Sequence, residues 1–311
     1  MNGKSTKARG YTTDILGDLA LSFLGHQDDR PFLLYLSHKG LHPETKQNAD
    51  GSLSDPTART SSRRSGTRTF TRRPRSRPAE RRRHTRREAG PPQADRRAPP
   101  LGPGTGTSDE SVRERQRMLA SIDEGVGRLR EELERTGRFD DTAFIFTSDH
   151  GYFYGEHGLG TERRLAYEEA IRVPLLVRYP PLIRARMTVD PIVISPDVAP
   201  TLLELGGAAY PARLHGRSIL PLLRGEVARL HASFLVEHSS DKVFPRVEGL
   251  GYQAVRTGRW KYIRYRDLQG MDELYDLSAD PFEMRNLVDE LVSTRAADSH
   301  SALVYVNQVG G

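Results

Sequence analysis

Two short strings in this sequence bring together residue types that handle anions. Asp149-His150 stands between Ser148 and Gly151, directly after the apolar run Ala143-Phe144-Ile145-Phe146. A carboxylate oxygen beside an imidazole nitrogen can bind a divalent cation, and such an ion would polarise an anionic ester and bind its oxygens. The alternative is an Asp that caps a helix or turn, with the His packed nearby. The second string, Ser37-His38-Lys39-Gly40-Leu41-His42, also closes an apolar run. His42 could protonate a leaving alkoxide or donate a hydrogen bond to an ester, while Lys39 and His38 would focus positive potential on it. A His after a strand can equally be structural or simply exposed. Arg163 and Arg164 could clamp a tetrahedral anion through their planar forks, or belong to a solvated charged turn. His157, within Gly155-Glu156-His157-Gly158, is a further candidate for contact with a substrate. The phosphate-cradling G-x-x-x-x-G-K-[ST], the dinucleotide G-x-G-x-x-G, the zinc H-E-x-x-H and the hydrolase G-x-S-x-G are all absent.

The elements that must position these strings alternate. Thr12-Thr13-Asp14 offers N-cap residues, and Leu16, Leu19, Ala20, Phe23 and Leu24 follow at helical spacing before Gly25. Phe32-Leu33-Leu34-Tyr35-Leu36 reads as a strand covered on both faces. Ser108 or Asp109 caps a second helix with the stripe Leu119, Ile122, Val126, Leu129 and Leu133, stopped by Gly137. The strand 143–147 follows, then Val173 to Arg178 as another, then a short helix opened by Ser195-Pro196-Asp197. Such alternation predicts an α/β fold, with a mostly parallel sheet and helices on both faces. In such folds ligands bind beyond the carboxyl ends of the strands, where 37–42 and 148–151 fall. The tail differs: 253–265 reads as a hairpin turning at Thr257-Gly258, and Leu274 to Leu277 adds a strand. A small antiparallel C-terminal subdomain is expected over 231–311, beside a main domain of 1–44 and 108–230.

Composition separates a third region. Residues 45–107 hold 15 Arg and one Lys against five acids, eight prolines and a single aromatic, Phe70. That segment carries +11 of a total of +6, which leaves −5 for the rest of the chain. Its apolar content cannot offset its ordering entropy, so disorder is expected. Clustered Arg could also bind nucleic acid, but one aromatic and no recognisable module argue against that use. The absence of cysteine excludes a disulfide framework and a thiolate metal site, and leaves the compartment open. No run of 18 apolar residues predicts a membrane span, and the polar N-terminus does not read as a signal peptide.

Together the motifs resemble a family. Thr147 to Gly151, Gly155-Glu156-His157-Gly158-Leu159 and Tyr167-Glu168-Glu169-Ala170-Ile171-Arg172-Val173-Pro174-Leu175 resemble the metal-site region of the sulfatases, which have the alkaline-phosphatase-like fold. Pro31 to Lys39 with His42 looks like that family's strand ending in an active-site histidine. Met118 to Gly127 looks like the helix before the metal strand. Gly258 to Tyr262, Glu273 to Leu277, Asp280-Pro281, Glu283 and Asn286-Leu287 are similar to its terminal subdomain.

The resemblance implies a sulfuric ester hydrolase with Asp149 and His150 as metal ligands, usually to calcium, and with His42 contacting the sulfate ester. It sets Arg163 where the family commonly has a lysine, and it suggests a carbohydrate sulfate as substrate. A phosphonate or phosphate monoester hydrolase shares the superfold. The family's nucleophile is a formylglycine made from Cys or Ser in C/S-x-P-x-R, lying in an N-terminal half with further acidic ligands. No Cys is present here, and Ser76-Arg77-Pro78-Ala79-Glu80 ends in Glu instead of Arg. The expectation is a portion of a sulfatase that is silent without its N-terminal half. The biased text of 45–107 fits either a compensated frameshift in GC-rich DNA or an arginine-rich insertion.

Overall fold

A computed structural model describes residues 9–26, 30–42, 106–160, 164–209, 211, 213–239, 247, 249–266 and 268–290. Residues 45–105 of the segment expected to be disordered, Arg163 and the residues after 290 lie outside the described residues. Two compact units are present, divided between Ala143 and Phe144.

The first unit is a helix pair with an extended segment. Helix α1 runs Thr12–Gly25 with Tyr11 as its N-cap, one residue before the expected cap, and with Asp14 in its first turn where the helix dipole favours a negative charge. Helix α2 runs Asp109–Arg135, and Ser108 Oγ accepts the Ser111 N–H at 3.3 Å, as a cap should. The face of α2 that buries is Met118, Ser121, Ile122, Leu129 and Leu133, while Leu119 is exposed. At about 100° per residue, Leu119 sits at the edge of the arc centred on Ile122, so the stripe is rotated slightly from the expected one. Asp18 and Arg128 pair across the helices at 2.7 Å, and Arg138 Nη2 donates to the Leu24 carbonyl at the end of α1 (2.9 Å).

The expected strand at 32–36 is corrected. It pairs with no other strand among the described residues, and its exposure alternates: Leu33 and Tyr35 are 70% and 85% exposed, Phe32, Leu34 and Leu36 half-buried. Alternation with period two is the pattern of an extended chain covered on one face. A Cβ on Gly40, just beyond, would meet Ile122 Cδ1 at 2.8 Å and Thr13 Oγ1 at 3.3 Å, so the Ile122 side chain would have to shift to admit one.

The second unit is built on antiparallel pairing. Strand β1 (Phe144–Thr147) pairs antiparallel with β2 (Leu175–Arg178), Thr147 opposite Leu175. All strand pairing among the described residues is antiparallel, so a mixed α/β architecture stands but the largely parallel sheet does not appear among them. The cause is local. Gly151 N–H donates to the Ala170 carbonyl at 2.7 Å, which folds the connection back and returns β2 from the end where β1 stops. A one-turn helix α3 (Glu168–Ile171) lies in that connection, and helices α4 (Val198–Leu205) and α5 (Leu220–Leu223) follow. No helix among the described residues is long and apolar enough to cross a membrane.

The C-terminal sheet was legible in the sequence. Strands β3 (Ser233–His238), β4 (Tyr252–Thr257), β5 (Trp260–Tyr265) and β6 (Glu273–Asp276) pair in chain order. Gly258-Arg259 makes the tight turn of the β4–β5 hairpin. Tyr252, Ala254, Ile263, Tyr265 and Tyr275 bury against Phe153, Leu159, Leu165, Ala166 and Tyr167. Trp260, Tyr262 and Leu274 form a separate cluster with Val255, Leu287 and Val288, as alternation along a strand requires.

Candidate active site

The Asp149-His150 loop is held by short hydrogen bonds. Ser148 Oγ donates to the His150 carbonyl (2.9 Å), and the His150 N–H donates to Asp149 Oδ1 (3.0 Å). His150 Nδ1 lies 2.6 Å from the Gly151 carbonyl, which can only accept, so Nδ1 carries a proton, and in the neutral ring Nε2 would bear the lone pair. Nε2 stands 3.7 Å from Asp149 Oδ2, whose side chain is 85% exposed. Two ligands each about 2.4 Å from one cation lie roughly 3.4 Å apart at a right angle, so the pair fits a shared ion. The fit is partial. Calcium takes about six to eight ligands, and no group of three or more His, Asp or Glu among the described residues is arranged to hold a metal.

The other expected site residues are distributed. His42 and Lys39 belong to the first unit, both exposed, in a turn closed by the His42 N–H on the Lys39 carbonyl (3.3 Å) with Leu41 at φ 73°. Burial lowers the pKa of the neighbouring His38. His157 belongs to the second unit and is buried. It stacks on Tyr167 (4.2 Å between ring centres), meets the edge of Phe153, and holds Nε2 3.7 Å from Glu169 Oε2. Its backbone is left-handed at φ 53°, between Gly155 and Gly158, both also at positive φ. That strain holds the ring inward, so direct substrate contact by His157 does not follow from its position.

What the sequence reading missed is the work of Tyr167-Glu168-Glu169. Tyr167 donates its hydroxyl to Glu273 (2.8 Å), Glu168 meets Lys261 (2.9 Å) and Arg256 (3.3 Å), and Glu169 faces His157. Lys261 is fully buried and also meets Glu283 Oε1 at 2.7 Å, while its Nζ donates to the Ala166 carbonyl (2.8 Å). Glu283 Oε2 accepts the Glu168 N–H at 2.7 Å. Burial pushes Glu283 up to about 7 against the pull of Lys261. Burial also raises Glu168, but Lys261 and Arg256 outweigh it and hold that carboxyl below its ordinary range. Glu273 is buried beneath three tyrosines, Tyr167, Tyr265 and Tyr275, which all donate to it. Burial raises its pKa, and their hydroxyls oppose the shift. The signal available in the sequence was a lysine inside the apolar run Trp260-Lys261-Tyr262-Ile263, since a charge buried in a strand needs a partner.

A second ion pair closes the hairpin. Arg259 donates Nε and Nη2 to Asp276, the shortest bond being 2.6 Å, and Ser278 donates to the same carboxylate. The guanidinium holds Asp276 well below the usual carboxylate range. A depressed pKa contributes stability that is present above the unfolded value of about 3.9 and is lost as pH falls through the folded value. The stability difference between the protein and its Asp276→Asn variant should therefore shrink steadily in denaturation curves taken below about pH 4. A difference constant down to pH 2 would remove the ion pair from the account.

Similarity to known proteins agrees with this arrangement. Residues 1–208 match the family described as Sulfatase, and residues 155–303 match N-sulphoglucosamine sulphohydrolase, C-terminal. The chain belongs to the sulfatase family of hydrolases, with its alkaline-phosphatase-like fold. It is 36% identical over 180 residues to an N-acetylglucosamine-6-O-sulfatase of Bacteroides thetaiotaomicron, covering 54% of this chain and 30% of that protein. To the human N-acetylglucosamine-6-sulfatase it is 32% identical over 207 residues, 58% of this chain and 37% of the relative. A solved structure in complex with its substrate D-glucosamine-2-N,6-O-disulfate aligns with TM-score 0.67 and 25% identity, over 99% of this chain and 72% of that one. A phosphonate monoester hydrolase of Agrobacterium radiobacter aligns at TM-score 0.51 and 26% identity, over 64% and 40% of the two chains. The chain thus spans about a third of the length of the two sulfatases.

Proposed function

We propose that this chain supplies part of the catalytic centre of a carbohydrate sulfatase. The observation that carries the reading is the pair formed by the Asp149 carboxylate and Nε2 of His150, 3.7 Å apart at the end of β1. These two residues would hold a divalent cation, calcium by family resemblance, which when bound neutralises and polarises the anionic ester. His42, by family resemblance, would donate a hydrogen bond to the ester and, in its protonated form, give its proton to the leaving alkoxide. Lys39 and Arg163 add positive charge around the sulfate, and Arg163 keeps the charge but not the shape of the family's lysine. His157 acts indirectly, by backing Tyr167 and Glu169 behind the loop. A 6-sulfated glucosamine unit as substrate is supported by the names of the relatives and by the sugar bound in the similar solved structure.

These 311 residues contain no Cys and no S-x-P-x-R, so they hold no residue that can become formylglycine. By themselves they do not turn over. The test is an assay of the purified chain with calcium and 4-methylumbelliferyl sulfate or glucosamine 6-sulfate. It is expected to stay at the blank until a polypeptide carrying the acidic pair and a matured C/S-x-P-x-R is added. Asp149→Ala should abolish the restored activity. Turnover by the chain alone would sink the claim of silence, and restored turnover indifferent to Asp149→Ala would sink the metal assignment. The likeness to a phosphonate monoester hydrolase favours a second reading, decided in the same assay by whether a phosphonate monoester outpaces the sulfate.

A further inference from the structure

A shallow pocket of about 430 Å³ in the second unit is lined by Arg217, Arg229, Leu230, His231, Ala232 and Ser233. Its floor is a fixed polar network. Asp197, fully buried, accepts from the Ile194 N–H (2.9 Å), the Arg217 N–H (2.8 Å) and His231 Nε2 (3.0 Å to each oxygen). Since a carboxylate only accepts, Nε2 is the donor there. Thr201 Oγ donates to the Asp197 carbonyl (2.6 Å) and accepts the Ile219 N–H (3.0 Å), which ties α4 to the segment before α5. Gly216 completes the seat, because a Cβ there would lie 2.0 Å from the Pro196 carbonyl oxygen. Arg217 is further held by Nη1 on the Leu230 carbonyl (2.9 Å).

The consequence is a one-sided donor surface. The carboxylate is buried and spent on its own donors, so it offers the pocket no acceptor. What remains toward the pocket are the Arg229 guanidinium, the part of the Arg217 guanidinium not committed to the Leu230 carbonyl, and the hydroxyl of Ser233. Among the described residues, neither guanidinium is paired with an acidic side chain. Two guanidinium groups and a hydroxyl lining one pocket suit a tetrahedral oxyanion, which has acceptors only. The volume exceeds what one such anion fills and leaves room for the sugar that carries it.

We infer that this pocket is a second sulfate-group site, distinct in its residues from Asp149 and His150, which takes a sulfate carried on a sugar or released from one. The choice of sulfate over other tetrahedral anions rests on the proposed sulfatase function; the donor geometry does not. The test is an amide-resolved NMR titration of the full chain in chelator, so that no metal site contributes. The probes are glucosamine 6-sulfate, glucosamine and sodium sulfate. Glucosamine 6-sulfate should shift the amides of Leu230 to Ser233 while glucosamine leaves them in place, and Arg229→Glu should weaken binding about tenfold. Sodium sulfate acting as strongly as the sulfated sugar would support the site with the released anion as its occupant. A weaker effect of the free anion would support it with the sugar contributing.

Reading the shifts at these amides keeps binding by the arginine-rich segment from passing as a positive. No shift at millimolar probe, or a shift unchanged by Arg229→Glu, overturns the proposal. Either result is independent of the turnover assay, so a failed sulfatase reading and a failed pocket remain distinguishable.

Discussion

Lys261→Met should destabilise the second unit by about 3–5 kcal/mol, the cost of breaking a buried ion pair by removing one partner. The lysine is fully buried between Glu168 and Glu283, with the Ala166 carbonyl as its third partner. Methionine replaces the stem but leaves two carboxylates without their shared cation. Arg256 still reaches Glu168 at 3.3 Å, so the larger penalty falls on Glu283, which keeps only the Glu168 N–H. Urea denaturation measures the loss. Adding Glu283→Gln to Lys261→Met should recover part of it, because the orphaned charge is gone. A single-variant loss below about 1 kcal/mol would show that the buried pair contributes no more than an exposed one.

Gly151→Ala has the second large effect and bears directly on the candidate site. A Cβ on Gly151 would stand 1.9 Å from the Glu169 carbonyl oxygen, and that atom is backbone, so no side chain can swing aside. The Gly151 N–H is also committed to Ala170 at 2.7 Å. The loop bearing Asp149 and His150 therefore cannot keep its place against α3 in the variant. A loss of at least about 3 kcal/mol is expected, in the range of severe overpacking. Faster hydrogen exchange at residues 151 and 170, and loss of the activity restored by complementation, should accompany it. A variant within about 0.5 kcal/mol of the parent, with the exchange unchanged, would mean the loop is not seated as described.

Part of the candidate site could be named before any coordinates. Asp149-His150 stood out as a candidate because two ligand types follow an apolar run and precede a glycine. The hairpin expected at 253–265 declared itself through the tight turn at Thr257-Gly258, and the structure pairs Tyr252–Thr257 with Trp260–Tyr265. The two long helices were legible through spacing, with Leu19, Phe23 and Leu119 of the expected stripes exposed, because periodicity defines a stripe only to within part of a turn. The strand at 32–36 was misread for a physical reason. A continuous apolar run implies two covered faces only when neighbours exist to cover them, and among the described residues one face has none.

The sequence by itself determined which residue types sit at the ends of the elements, the family, and that these residues include no Cys and no S-x-P-x-R string. Those properties are local, carried by spacing and by identity. Only the tertiary structure decided what Tyr167-Glu168-Glu169 does. Its three side chains reach Glu273, Lys261 and His157, partners up to about a hundred residues away, and so fasten the segment before β2 to the C-terminal sheet. It also decided that β2 returns antiparallel to β1, through one hydrogen bond across the connection, and that His157 turns inward. No periodicity encodes such pairings. They follow from burial, which obliges every charge taken out of water to find its partner wherever the fold has brought one.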